Sequence, residues 1–239
     1  MFMNSRFDSL VKIATLSVLG ATLLAACGDT GAKSTSGPTE GRSSFEVPGD
    51  HAMGNADASV TIVEYASVTC GHCANWDKTV WDDFRKKYVD TGKVRYVFRE
   101  FPTAPVTLAN AGHLLANCAG DDKFFDLIHI QFQRQREILT SDDVKGEYIR
   151  LAKSAGMSEA DFEACMTNEE EIARLDKVVE DGFAAGVTGT PTFFLNGKKI
   201  AAYVLEDFDK EIAQALGEPI PEPETESSET PAEAEGEDQ

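Results

Sequence analysis

Two cysteines three positions apart, in Cys70-Gly71-His72-Cys73, are the part of this sequence best equipped for chemistry. They follow a strand-like apolar run from Val60 to Val68 and open a helix-like one, which places Cys70 at a helix N-terminus. Unpaired N–H groups and the helix dipole favour negative charge there, and the attacking species in thiol chemistry is the thiolate. Cys70 is therefore the expected nucleophile. Cys73, one turn further in and shielded by the helix, is the expected resolving thiol for a mixed disulfide on Cys70. His72 adds an imidazolium beside the sulfur that would further favour the thiolate.

A lone C-x-x-C pattern also fits half a zinc site or a structural loop disulfide. Two further features separate these readings. Glu64, in Val60-Thr61-Ile62-Val63-Glu64-Tyr65, puts a carboxylate into an apolar strand, where burial is costly without a purpose. Much later, Thr190-Pro191 precedes the short apolar run Thr192-Phe193-Phe194-Leu195, and Asn196-Gly197 signals a hairpin turn into Lys198 to Ala202.

Together these features resemble the thioredoxin superfamily, and specifically its DsbA-like branch of envelope thiol-disulfide oxidoreductases. The resemblance runs from about Gly54 to Leu216. It implies that the dithiol faces a cis-proline loop at Pro191, that Thr190 offers its backbone to an extended substrate peptide, and that Glu64 lies buried beneath the dithiol and shuttles the Cys73 proton. Gly71 departs from the proline common between the cysteines of DsbA-like proteins and matches the CGHC sites of protein disulfide isomerases. The redox potential therefore cannot be carried over from any one relative.

The elements expected to position these groups are a strand over Thr61 to Ser67, a helix from Cys73 to about Tyr88 and a strand from Lys93 to Glu100. Such a strand-helix-strand unit makes its two strands parallel. The closing hairpin adds antiparallel strands, and a last helix runs from about Glu206 to Leu216. Between Pro105 and about Gly186 the chain is too long for a loop and is periodic in apolar residues, as in Leu108, Leu114, Leu115 and then Phe124, Leu127, Ile128, Phe132. This predicts an inserted helical domain. Ser158 with Asp161, and Thr167 with Glu170, read as helix starts. The expected class is an α/β thioredoxin fold, a mixed central sheet flanked by helices, interrupted by an all-helical insertion. Its parts are 47–104, the insertion 105–185 and the return 186–217.

The five cysteines divide without remainder. Cys70 and Cys73 serve the chemistry, and Cys27 directly follows the leader. Cys118 and Cys165 remain in the insertion, where they are expected to pair in an oxidising envelope; two buried free thiols are the alternative. A zinc site from all four lacks a second closely spaced pair, and His51, His113 and His129 show no ligand spacing. No metal and no cofactor are expected.

At the N-terminus, Arg6 and Lys12 precede an apolar stretch from about Ile13 that ends in Leu24-Ala25-Ala26-Cys27. This resembles a bacterial lipobox, which implies a signal peptide over 1–26 and lipidation of Cys27. An ordinary signal peptide or a membrane anchor is the alternative, and the apolar run is short for the latter. Residues 27–46 are rich in Gly, Ser and Thr and read as a flexible tether. Residues 218–239 hold nine acidic residues and no basic one, and read as a disordered tail. The net charge of −19 argues against nucleic-acid partners and against electrostatic docking to anionic lipid.

The function expected from these readings is a lipid-anchored, periplasm-facing dithiol oxidase in a bacterial envelope, on the inner or the outer membrane. It would act as a monomer on exported polypeptides with cysteine thiols, and a quinone-linked membrane oxidase or a reductase would reset the dithiol. Thr190 keeps an isomerase or reductase open, since threonine before the cis-proline occurs in isomerase-type relatives. A lipid-anchored binding or assembly protein is the reading from another class. The copper carriers of that kind usually combine C-x-x-x-C with a distant histidine, a pattern this chain lacks.

Overall fold

A computed structural model describes residues 45–221. The expected signal peptide at 1–26, Cys27, nearly all of the expected 27–46 tether and most of residues 218–239 lie outside the described residues.

Two seven-residue strands, β2 (Val60–Ala66) and β3 (Val94–Glu100), form the centre of a five-stranded sheet and pair in parallel, with Glu64 opposite Phe98. The chain between them is a continuous helical rod, α1, over 71–89, which supplies the crossover that parallel strands require. Beyond β2 lie β4 (Thr192–Leu195) and then β5 (Lys198–Ile200), both antiparallel, joined by the Asn196-Gly197 turn in which both residues have positive φ. On the other edge β1 (His51–Met53) pairs antiparallel with β3, giving the order β1-β3-β2-β4-β5. This first strand is absent from the sequence reading. Three residues are too few for a period to show, and β1 is held by its pairing and by Arg99, which bridges to Asp50 at 2.7 Å.

Successive strand residues point to opposite faces. On β2 the even positions Val60, Ile62, Glu64 and Ala66 face one way, and Val60, Ile62 and Ala66 join the larger core with Trp76, Trp81 and Phe84 of α1. Val63 and Tyr65 face the other way, into a smaller core with Val97, Phe101, Val187 and Phe194. This alternation directs Glu64 toward α1 and the dithiol.

The rod α1 is not uniform. An α-helical start, Gly71–Trp76, passes into a wider π-helical stretch, Asp77–Trp81, and a second such stretch, Arg85–Val89, follows Asp82–Phe84. The apolar period alone does not show this widening. Insertions of this kind recur at functional sites, and here the first brings the carboxylate of Asp77 into the interior, 5% exposed.

The insertion comprises α2 (Val106–Cys118), α3 (Asp121–Gln133), α4 (Gln135–Leu139), α5 (Val144–Ser154), α6 (Glu159–Met166) and α7 (Glu169–Ala184). Ser158 and Asp161 form a reciprocal cap at the start of α6. For α7 the cap is Asn168 and not Thr167: its side chain accepts from the N–H groups of Glu170 and Glu171, so Glu170 lies one residue too early to close a box with this cap. The closing helix α8 (Leu205–Leu216) buries Phe208 and Ile212 in the larger core and ends on Gly217.

Candidate active site

Strand β2 ends at Ala66, and the loop 67–70 turns the chain into α1. Cys70 is the helix N-cap, with extended backbone and its sulfur accepting from the Cys73 N–H at 3.4 Å. The same sulfur lies 3.2 Å from the carbonyl oxygen of Thr190, to which its S–H donates. The Thr190–Pro191 peptide is cis. Residues 120 positions apart thus meet at one sulfur.

Both sulfurs of the 70–73 pair carry free thiols, Cys70 partly exposed and Cys73 fully buried. Their acidities diverge for that reason. The Cys70 thiol is held down at about 5, chiefly because the Cys73 thiol donates to its thiolate, with the Thr190 side-chain hydroxyl and the backbone N–H groups of Cys73 and His72 acting in the same direction against partial burial. Burial pushes the Cys73 thiol well above its ordinary range, and its donation to Cys70 and the nearby charges of Glu64 and Cys70 push it further. His72 acts through its backbone N–H, while its side chain is exposed.

Glu64 is 1% exposed, and burial pushes its carboxyl up to about 8, against the Tyr96 hydrogen bond and with the charges of Asp77 and Cys70 adding to the rise. The Tyr96 hydroxyl donates to Oε2, and Oε1 has no protein partner. Tyr96 lies opposite Ile62 in the parallel register, hence on the same face as Glu64, a relation that no local pattern reveals. Asp77, also unmarked in the sequence, accepts from Gln133 at 2.8 Å and pairs with His129 of α3.

A groove of about 530 Å³ runs beside Cys70, walled by His72, Asn75, Trp76 and the 188–192 loop and reaching Lys199 and Tyr203. Cys118 and Cys165 are bonded to each other at 2.06 Å, joining α2 to α6 away from this groove. Among the described residues no group of three or more His, Cys, Asp or Glu side chains converges as a metal site would require.

A sheet of this order, a dithiol capping the first crossover helix and a proline loop against it define a thioredoxin fold with a helical insertion. The family model described as thioredoxin matches residues 46–214, and the chain belongs to that family. It is 32% identical over 173 residues to a provisionally named protein-disulfide oxidoreductase of Rickettsia conorii, covering 71% of this chain and 61% of that protein. A counterpart in Rickettsia prowazekii is 31% identical, with 70% and 61% covered. The chain thus spans about three fifths of the length of these relatives. The crystal structure of alpha-DsbA1 from Wolbachia pipientis superposes with a TM-score of 0.65 at 24% identity, covering 72% of this chain and 93% of that one. Oxidised BdbD from Bacillus subtilis gives the same score at 21% identity, with 72% and 95% covered. The fold is DsbA-like.

Proposed function

We propose that this protein is a thiol-disulfide oxidoreductase that works as a dithiol oxidase, passing the Cys70–Cys73 disulfide to client polypeptides with cysteine thiols. The observation that carries the reading is the unequal setting of the two sulfurs. Cys70 caps a helix at the surface with donors converging on it, while Cys73 is buried above the acid Glu64.

In the cycle, a client thiolate lying in the groove attacks Cys70 Sγ. The client–Cys70 bond forms as the Cys70–Cys73 bond breaks, and the Cys73 sulfur leaves with the electron pair. Its proton comes from Glu64, which near neutral pH still holds one. A second client thiolate then attacks the client sulfur, releasing Cys70 as a thiolate. The client gains one disulfide and the protein holds two reduced sulfurs. Cys70 is a good leaving group because its thiolate is stabilised, and that same stabilisation favours the reduced protein and makes its disulfide oxidising. Thr190 and Pro191 present a carbonyl edge along which an extended client can lie as an added strand.

The setting follows from the lipobox-like leader: a bacterial envelope, with the domain facing the periplasm from an anchor at Cys27. No helix among the described residues is long and apolar enough to cross a membrane. A membrane oxidase that regenerates the disulfide is the partner this direction requires.

The deciding experiment equilibrates the protein with glutathione and then offers the oxidised form to a reduced, cysteine-containing polypeptide. An oxidase equilibrates toward the oxidising end of the superfamily range, roughly −270 to −120 mV, and forms client disulfides stoichiometrically. A potential close to thioredoxin's would reverse the direction to reductase, and the absence of any exchange would reject the enzyme reading.

A further inference from the structure

The loop that carries Cys70 is gripped from the helical insertion at two points. The first is polar. Gln135, the first residue of α4 and half-buried, spends both protons of its side-chain amide on backbone carbonyls of that loop, Val68 O at 2.8 Å and Cys70 O at 2.9 Å. The second is steric. Gly112 of α2 is closed in by Gln131 and Val68, so that a β-carbon on it would fall 2.2 Å from Gln131 Oε1 and 2.7 Å from Val68 Cγ2.

We propose that Gln135 is a positioning residue for the nucleophile, through which the helical insertion holds Cys70 in the orientation that favours its thiolate. The inference rests on the exchange reading of Cys70. Ser67 and Thr69 tie the start of the loop to Thr103, the Thr69 hydroxyl donating to Thr103 O at 2.9 Å and the Thr103 N–H to Ser67 Oγ at 3.0 Å, while at Cys70 itself the N–H donates to Ser67 O at 2.9 Å and the carbonyl accepts from the Ala74 N–H at 3.1 Å. The Cys70 carbonyl therefore shares its oxygen between the first turn of α1 and the Gln135 amide. Fixing that carbonyl fixes the peptide plane to Gly71, and with it the direction of the following N–H groups that converge on the sulfur. The amide N–H dipoles also place positive charge near the thiolate.

A side-chain amide suits this place because it gives two hydrogen bonds from one nitrogen, which a carboxylate cannot do. Its aim depends on a break in the helix. Arg134, between α3 and α4, has φ near −100° and is pinned by Glu137 at 3.0 Å and Glu147 at 2.9 Å. That break starts α4 with Gln135 against the loop.

The test compares the full chain with Gln135→Met, close in size but without a donor, and with Gln135→Glu, which turns a carboxylate toward the same carbonyls. Alkylation of Cys70 as a function of pH, equilibrium with glutathione and thermal unfolding are measured on each. The loss of two neutral hydrogen bonds that are coupled only in part to the sulfur should shift the glutathione equilibrium about three- to tenfold toward a weaker oxidant, with a matching rise in the Cys70 midpoint. Gln135→Glu should shift both further in the same direction, and Gln135→Lys, which keeps a donor, should restore part of the loss. An unfolding temperature that falls while Cys70 alkylation and the glutathione equilibrium stay within twofold of the parent would make Gln135 a packing residue only and overturn the proposal. If either glutamine variant does not fold, Gln135→Ala, which removes both donors and adds no new group, takes its place and must move Cys70 reactivity; an unchanged profile there also overturns it. Alkylation reports on the sulfur whether or not any client is oxidised, so failure of this inference is separable from failure of the exchange reading.

Discussion

Tyr96 donates its hydroxyl to Glu64 across the parallel pair β2–β3, leaving the other carboxylate oxygen buried and without a protein partner beneath the dithiol. A carboxyl in that position holds its proton to about pH 8 and then gives it up at high cost. That suits a group that lends a proton to Cys73 and takes it back. Glu64→Gln should slow the step in which Cys73 leaves, and hence formation of the mixed disulfide on Cys70, on the order of a hundredfold, yet leave its release by a second client thiolate nearly unchanged. Stopped-flow measurement of mixed-disulfide formation and decay separates the two, and equal slowing of both would remove Glu64 from the proton path.

The same residue makes a signed stability prediction. Its folded pKa lies above the ordinary 4.5, so between pH 4.5 and 8 the folded state keeps a proton that the unfolded chain has released. Stability contributed by Glu64 is fully present below that window and falls as pH rises through it, by up to about 5 kcal/mol. Glu64→Gln should therefore gain on the parent as pH rises from 5 to 8 in denaturant titrations, and a constant difference would contradict the burial argument.

Much of this was legible in the sequence, because the strands around Glu64 and Thr192 carry continuous apolar runs and the dithiol sits at a strand-to-helix switch. The residues that stayed hidden are those joined only by folding. Tyr96 reads as one more aromatic in a strand, Asp77 as an ordinary helix carboxylate and Gln135 as a solvated glutamine. Their roles come from sheet register, the π-helical stretch and the break at Arg134, none of which has a local pattern. The cis Ala104–Pro105 peptide was hidden likewise, since Pro105 reads only as the boundary of the insertion.

The two cysteines of the active pair should behave differently when replaced. Cys70→Ser should abolish exchange, whereas Cys73→Ser should accumulate mixed disulfides with clients, because attack survives and intramolecular release does not. Non-reducing gels after exposure to oxidised clients read this directly, and equal trapping by both variants would reverse the assignment. For the reduced parent, the Cys70 thiol lies below its ordinary value of 9, so the stability its thiolate lends is fully present above about pH 9 and lost as pH falls through 5. The stability gap between reduced and oxidised protein should therefore shrink on acidification.

His113 is fully buried with both ring nitrogens unpartnered, and burial holds it down at about 4, with Glu100 opposing and Arg174 reinforcing the shift. As pH falls from 6.5 to 4 the unfolded chain takes a proton that the folded one refuses, so stability should drop by up to about 3 kcal/mol. His113→Gln should flatten that part of the stability curve relative to the parent. A curve with unchanged slope would show that the site accepts the proton, through water or rearrangement.

The Cys118–Cys165 disulfide ties α2 to α6 across 47 positions and borders a small cluster with Leu114 and Leu175. Closing a loop of that length removes unfolded-state entropy worth about 4 kcal/mol in the chain-entropy model, and measured losses are commonly smaller because the unfolded chain keeps residual structure. Replacing both cysteines with alanine should lower the denaturation midpoint by a few kcal/mol equivalent while leaving the Cys70 alkylation profile in place. The reason is spatial as well as chemical: the grip on the Cys70 loop runs through Gly112 and Gln135, whereas the disulfide lies at the far end of α2. A titration with mild reductant should open the Cys70–Cys73 bridge first, since a disulfide whose reduced form is stabilised is the more oxidising of the two. Loss of client oxidation in a double variant that remains fully folded would show that this second pair takes part in electron transfer, and its structural role would have to be abandoned.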